Sequence, residues 1–235
     1  GIAEATAKAT AGDSVYVPAG TYRLWHKAVP VLPLKTGVSL GGDGPQSVLW
    51  NPRSELVLHY QSALTGVIVH DLTLDNVVVW LRAATPGDIR SLAFSAVTFL
   101  DGRTAAEGDS TAQVLLIRTA DVAFSECLFA REVVGRGLQI YASDATTVTD
   151  CVLTGTFKTA ANVQGSTDTA LERNTILRAA GEYAEDHGIY ASESDGVTVV
   201  DCTIDGWSPT PSGGSVKASR EIHGRDHGAH AQRRR

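Results

Sequence analysis

VAFSECLF at positions 122–129 and TTVTDCVL at positions 146–153 follow one pattern, apolar-x-apolar-x-x-slot-x-apolar. Four more segments repeat it: VIVHDLTL at 67–74, LAFSAVTF at 92–99, TALERNTI at 169–176 and VTVVDCTI at 197–204. The second anchor falls at Val69, Phe94, Phe124, Val148, Leu171 and Val199, with spacings of 25, 30, 24, 23 and 28. The closing anchor always follows five residues later, at Leu74, Phe99, Phe129, Leu153, Ile176 and Ile204. Insertions therefore fall outside the motif. Alternation with period two predicts strands with one buried face, and the two residues before the slot let the chain bend into a second short strand. A unit this short cannot bury its own apolar face, so it must stack on its neighbours. No segment shows the three- and four-residue spacing of a helical repeat.

A third strand precedes most of these motifs: VLLI at 114–117, LQIY at 138–141, ANVQ at 161–164 and GIY at 188–190. Leu116 to Phe124, Ile140 to Val148 and Val163 to Leu171 are each eight residues apart, and Ile189 to Val199 is ten. Three strands per coil with parallel pairing between coils predicts an all-β fold, a right-handed parallel β-helix of about eight coils from Val15 to Val216. At ~4.8 Å per coil such a rod is about 40 Å long. The solenoid, with an N-terminal cap, is expected over residues 1–218, followed by a disordered basic tail at 219–235.

The slot column reads Leu72, Val97, Cys127, Cys151, Asn174 and Cys202. No C-x-x-C pair is present, so the column reads as small side chains stacked inside a turn, with Asn174 bonding to turn backbone. A Cys127–Cys151 disulfide is the alternative.

Composition limits the rest. The chain has 235 residues, 43% hydrophobic and 20% charged, which suits a folded domain. No apolar run approaches the ~20 residues of a membrane-spanning helix. The net charge is −6, yet Arg220–Arg235 holds five arginines and two acids, leaving −9 on the preceding 219 residues. That body repels a phosphate backbone, and no nucleic-acid partner is expected. There is no methionine, so the sequence reads as a processed product or a piece of something longer.

Several phrases carry a resemblance. GDSVYVPAGTYR at 12–23, LKTGVSLGGDG at 34–44 with SVLW at 47–50, and DHGIYAS at 186–192 are similar to phrases of the pectate-lyase-like β-helix superfamily. The resemblance covers residues 12–218 and implies the fold more than the reaction. It also implies action on acidic or complex polysaccharides outside the cytoplasm, at the cell surface or beyond it. Three departures stand out. The sequence lacks the Asp-Asp pair of inverting polygalacturonases, which must flank the bond. It also lacks the Trp-Ile-Asp-His phrase of the main pectate lyases and the Asp-Pro-His-Asp of epimerases. Relatives continue for several more coils past Val216, so a truncated protein is expected.

In the superfamily the substrate groove crosses the third strand. With Leu116, Ile140, Val163 and Ile189 inward, alternation gives an outward row of Ile117, Tyr141, Gln164, Tyr190 and Lys217. Ser143, Ser166 and Ser192 follow two positions later and read as turn supports. Elimination at a uronate needs a group that stabilises charge on the carboxylate, a base for the C5 proton and an acid for O4. Lys217, Tyr190 and His187 are the candidates for these roles. Tyr141, Gln164, Arg118 and Lys158 are the candidate substrate contacts. Each has a plainer alternative: a surface aromatic ladder, solvated cations and, for His187, a turn residue. Glu182, Glu185 and Asp186 could supply hard oxygen ligands to Ca²⁺, although their spacing matches no defined calcium loop. A solvated acidic loop and no cofactor is the alternative. Three readings follow: a polysaccharide lyase, a non-catalytic glycan-binding or fibre module, and a hydrolase or epimerase using carboxylates of the 182–186 segment. Oligomeric state is not legible.

Overall fold

A computed structural model describes residues 1–24, 32–52, 56–60, 62–101, 112–178, 187–207 and 214–218. Among these residues nineteen strands join one parallel network, and every strand pairs with its counterpart one coil away. The first strands stack Val15, Leu40, Val69, Phe94, Phe124, Val148, Leu171 and Val199 in register, seven steps and so about seven turns. The second strands stack Tyr22, Leu49, Leu74, Phe99, Phe129, Leu153, Ile176 and Ile204. Both sequence anchors are therefore continuous interior columns. In the middle coils Phe94 stacks on Phe124 at 5.0 Å and Phe99 on Phe129 at 4.7 Å, and Phe124 meets Phe129 across the core at 5.8 Å. Offset aromatic pairs at these distances add to the burial of their faces. A helix, Ile2–Lys8, stands before the first coil, and Lys35 donates from Nζ to the carbonyl of Ala7 at its end (2.9 Å).

The bend between first and second strands has a repeated cause. The residue before each slot is left-handed: Asp71, Ala96, Glu126, Asp150, Arg173 and Asp201 all have φ between 51° and 54°. Side chains disfavour that region by about 1–2 kcal/mol per residue, so the turn must be held by something else. At the Cys127, Cys151 and Asn174 turns it is held by the slot. The Cys127 N–H donates to Cys151 Sγ (3.4 Å), the Cys151 N–H to Asn174 Oδ1 (2.9 Å), and the Asn174 N–H to Cys202 Sγ (3.4 Å). Asn174 Nδ2 also donates to the Val148 carbonyl (2.8 Å). All three cysteines are free and buried, so the column is a ladder and the alternative disulfide is not formed. A thiol–thiol hydrogen bond with Cys151, and then burial, pushes the Cys127 thiol far above its usual range. Burial raises Cys202. The protonated Cys127 and Cys202 thiols are poor nucleophiles.

A second ladder closes the turn after the third strand. The Thr119 N–H donates to Ser143 Oγ (3.2 Å), the Ser143 N–H to Ser166 Oγ (3.1 Å) and the Ser166 N–H to Ser194 Oγ (3.2 Å). Its last rung is Ser194, two residues beyond the expected Ser192. The third-strand register explains the shift. Val163 pairs with Ala191, and Ile189 pairs with Ala161 and Val216. Counted from Ala191, the eight-residue spacing to Val199 holds in this coil too. The ten-residue spacing joined two anchors that are not equivalent.

Candidate functional site

The third strands carry two outward columns. One runs Arg82, Ile117, Tyr141, Gln164 and Ser192. The other runs Trp80, Leu115, Gln139, Asn162, Tyr190 and Lys217. The expected single row of Tyr141, Gln164, Tyr190 and Lys217 therefore splits. Gln164 stays with Tyr141, whereas Tyr190 and Lys217 belong with Asn162. Because side chains alternate along a strand, Asn162 and Gln164 share a face but sit one outward position apart.

Three of the candidate residues do converge. The His187 and Tyr190 rings stack, with centroids 5.1 Å apart and planes 20° from parallel. Lys217 Nζ lies 5.9 Å from the Tyr190 centroid, within cation–π range. The three differ in access: His187 is 6% exposed, Tyr190 is half-buried and Lys217 is exposed. His187 opens the strand His187–Ser192 in register with Thr159 and Gly214, and its ring backs the tyrosine.

Two amides complete the surface, and neither was among the candidates read from the sequence. Asn162 pairs with Tyr190 in register, is buried, and its Nδ2 donates to Tyr141 Oη (3.4 Å). Its Oδ1 is buried with no hydrogen-bond partner among the described residues. Buried polar atoms are nearly always paired, so this sealed acceptor is an exception within the face. Gln139, the next residue up the column, is also buried; with its amide oxygen turned toward Arg136 it accepts from Arg136 Nε at 3.2 Å. The signal for both was in the sequence: counting eight residues back from Leu171 and Val199 aligns Val163 with Ala191 and puts Asn162 beside Tyr190.

The remaining candidates lie further out. Arg118 is the left-handed residue (φ 56°) that ends the third strand of its coil, and its N–H donates to the Tyr141 carbonyl (2.9 Å). It serves the turn through its backbone. Lys158 lies next to Thr159, where the strands Leu128–Tyr141 and Val152–Gln164 slip register between Arg131 and Arg136. It is apart from the Tyr190 column. Glu182, Glu185 and Asp186 lie outside the described residues, as does the tail at 219–235. Among the described residues no group of three or more His, Cys, Asp or Glu side chains could hold a metal ion. No helix among them is long and apolar enough to cross a membrane.

Comparison with known proteins agrees with the architecture. A family model described as "Right handed beta helix region" matches residues 93–222. No curated protein sequence matches the chain. Among solved structures, the A-module of the Azotobacter vinelandii mannuronan C-5 epimerase AlgE6 superposes with a TM-score of 0.58 at 16% identity. That match covers 92% of this chain, which spans 66% of the module's length. The AlgE4 A-module from the same organism matches at 14% identity with a TM-score of 0.40, over 97% of this chain and 94% of that one. At 16% identity the likeness to the AlgE6 module is one of fold.

Proposed function

The chain belongs to the right-handed β-helix family, and on that scaffold we propose a carbohydrate-active site on the third-strand face that removes the C5 proton of a uronate in an acidic polysaccharide. The observation that carries the reading is the stack of His187, Tyr190 and Lys217. Lys217 supplies positive charge for the substrate carboxylate, which gains electron density as C5 loses its proton. Tyr190 is the group positioned to meet the sugar and move the proton, with the His187 ring stacked behind it. Asn162 holds the Tyr141 hydroxyl through Nδ2, and Tyr141 offers an aromatic contact in the neighbouring column. Gln164 and Ser192 extend that column along the polymer.

In the lyase reading the base takes the C5 proton, the C5–H electron pair becomes the C4=C5 double bond, the C4–O4 bond breaks, and O4 leaves with the proton the base returns. In the epimerase reading the same carbanion takes a proton on its opposite face. The two share the abstraction step, and the mannuronan epimerase neighbour makes the second a direct comparison. Ca²⁺ bound by Glu182, Glu185 and Asp186 would assist either reaction by neutralising the carboxylate.

The test is incubation with polymannuronate, polyguluronate and polygalacturonate, with and without Ca²⁺. Ultraviolet absorbance of the unsaturated uronate end reports elimination, and proton NMR reports inverted C5. Lys217→Ala and Tyr190→Phe are each expected to slow the reaction by ~10²–10⁴. A protein that binds one of these polymers but forms neither product is a glycan-binding module, and the catalytic reading fails.

A further inference from the structure

A second face of the solenoid, over the second strands, carries its own groove. Its volume is about 700 Å³, and it opens over the second strands of five successive coils. One outward column on its floor runs Thr21, Val48, Thr73, Thr98 and Leu128, and the other runs Trp50, Asp75 and Leu100. Trp50 is 36% exposed, unusual for the largest aromatic side chain, and the Arg23 guanidinium lies 6.0 Å from its ring centroid. Asp75 is directly below Trp50 in register. Burial, and then the negative charge of Asp101, raises the Asp75 carboxyl above its ordinary range. A raised carboxylate costs stability at neutral pH, because the folded state holds the proton more tightly than the unfolded chain. A residue kept at such a cost, in a cavity, is characteristic of a binding site.

We infer that this groove binds an extended, neutral, β-linked glycan lying along the solenoid axis. Trp50 offers a flat apolar surface to the C–H face of a pyranose, while Asp75 and the hydroxyls of Thr21 and Thr98 bond its equatorial hydroxyls. The coils rise by ~4.8 Å, close to the advance of one sugar in an extended β-1,4 chain, so successive residues meet successive coils. Asp75 and Asp101 repel a polyanion, which separates this ligand from the uronate proposed for the third-strand face. The inference does not depend on that reaction. It gives the molecule two glycan contacts of different charge.

Titration calorimetry of the whole chain with cellohexaose, mannohexaose, maltohexaose and hexamannuronate tests it. Binding of a β-1,4 neutral hexasaccharide is expected, with Trp50→Ala and Asp75→Asn each weakening it at least about tenfold, the size of a single interface anchor. Asp75→Asn is also expected to raise the thermal midpoint, which a merely structural role would not do. Tyr190→Ala and Lys217→Ala are expected to leave this binding unchanged. The inference is overturned if no neutral hexasaccharide binds, if binding survives Asp75→Asn, or if it disappears with Tyr190→Ala. Equal binding of α-linked maltohexaose would overturn the axial match, and equal binding of hexamannuronate would overturn the charge argument.

Discussion

The slot turn and the third-strand face both hold buried polar groups, but their hydrogen bonds end in different places. In the slot column each acceptor closes on backbone of the adjacent coil: Cys151 on Cys127, Asn174 on Cys151, Cys202 on Asn174. Nothing is left over for a ligand. On the third-strand face the bonds run between side chains, Asn162 to Tyr141 and Arg136 to Gln139, and Asn162 Oδ1 has no partner among the described residues. Polar groups satisfied by backbone hold the coil. Polar groups that bond side chain to side chain on an outward face place rings and cations there instead.

The largest effect that could break this comparison is in the core on which both columns rest. Phe124→Ala removes the ring stacked on Phe94 and packed against Phe129, and should cost ~3–5 kcal/mol in urea denaturation. A smaller loss would mean that the columns do not share one cooperative interior.

Next comes the ladder itself. Asn174→Ala leaves the Cys151 N–H and the Val148 carbonyl without their buried partner and should cost ~2–4 kcal/mol. Asn174→Cys, which restores the acceptor found in neighbouring rungs, should recover part of that loss. If Ala and Cys are equivalent at this position, the ladder does not hold the left-handed turn.

A third change should stabilise. Thr169 holds the first position of its motif, as Val67 and Thr146 do in theirs, and its buried Oγ1, like that of Thr146, has no partner among the described residues. Thr169→Val keeps the shape and removes the orphan hydroxyl, for a gain of up to ~1 kcal/mol by chemical denaturation. A loss instead would show that the hydroxyl is paired in solution. The smallest effect is expected at the surface. The Arg173–Asp150 pair closes at 2.8 Å with both side chains about half exposed, so Arg173→Ala should leave the denaturation midpoint almost unchanged in moderate salt.

The interior was legible because its anchors are large. Phe94, Phe124, Phe99 and Phe129 announce themselves at a fixed five-residue offset, and insertions between coils cannot blur that offset. The slot ladder was legible because Cys and Asn recur in one column. The third-strand register was harder to read. Its inward residue in the seventh coil is Ala191, too small to stand out beside Ile189, so the expected row joined Tyr190 to Gln164. That shift hid Asn162 and moved the serine rung from Ser194 to Ser192. The groove over the second strands was not legible at all: Trp50 and Asp75 are 25 residues apart in sequence and become neighbours only through the pairing between coils.

The most direct test of the third-strand face is hydrogen–deuterium exchange at C5, followed by proton NMR on polymannuronate and polygalacturonate in D₂O. Any enzyme that abstracts this proton, whether it then eliminates or epimerises, forms product whose chemistry passes through C5. The account predicts C5 deuterium or C4=C5 product with the wild-type chain, its loss in Lys217→Ala and Tyr190→Phe, and thermal midpoints in those variants close to wild type. Bound polymer with intact C5 protons and no unsaturated ends would contradict it, as would variants that lose activity only because they unfold.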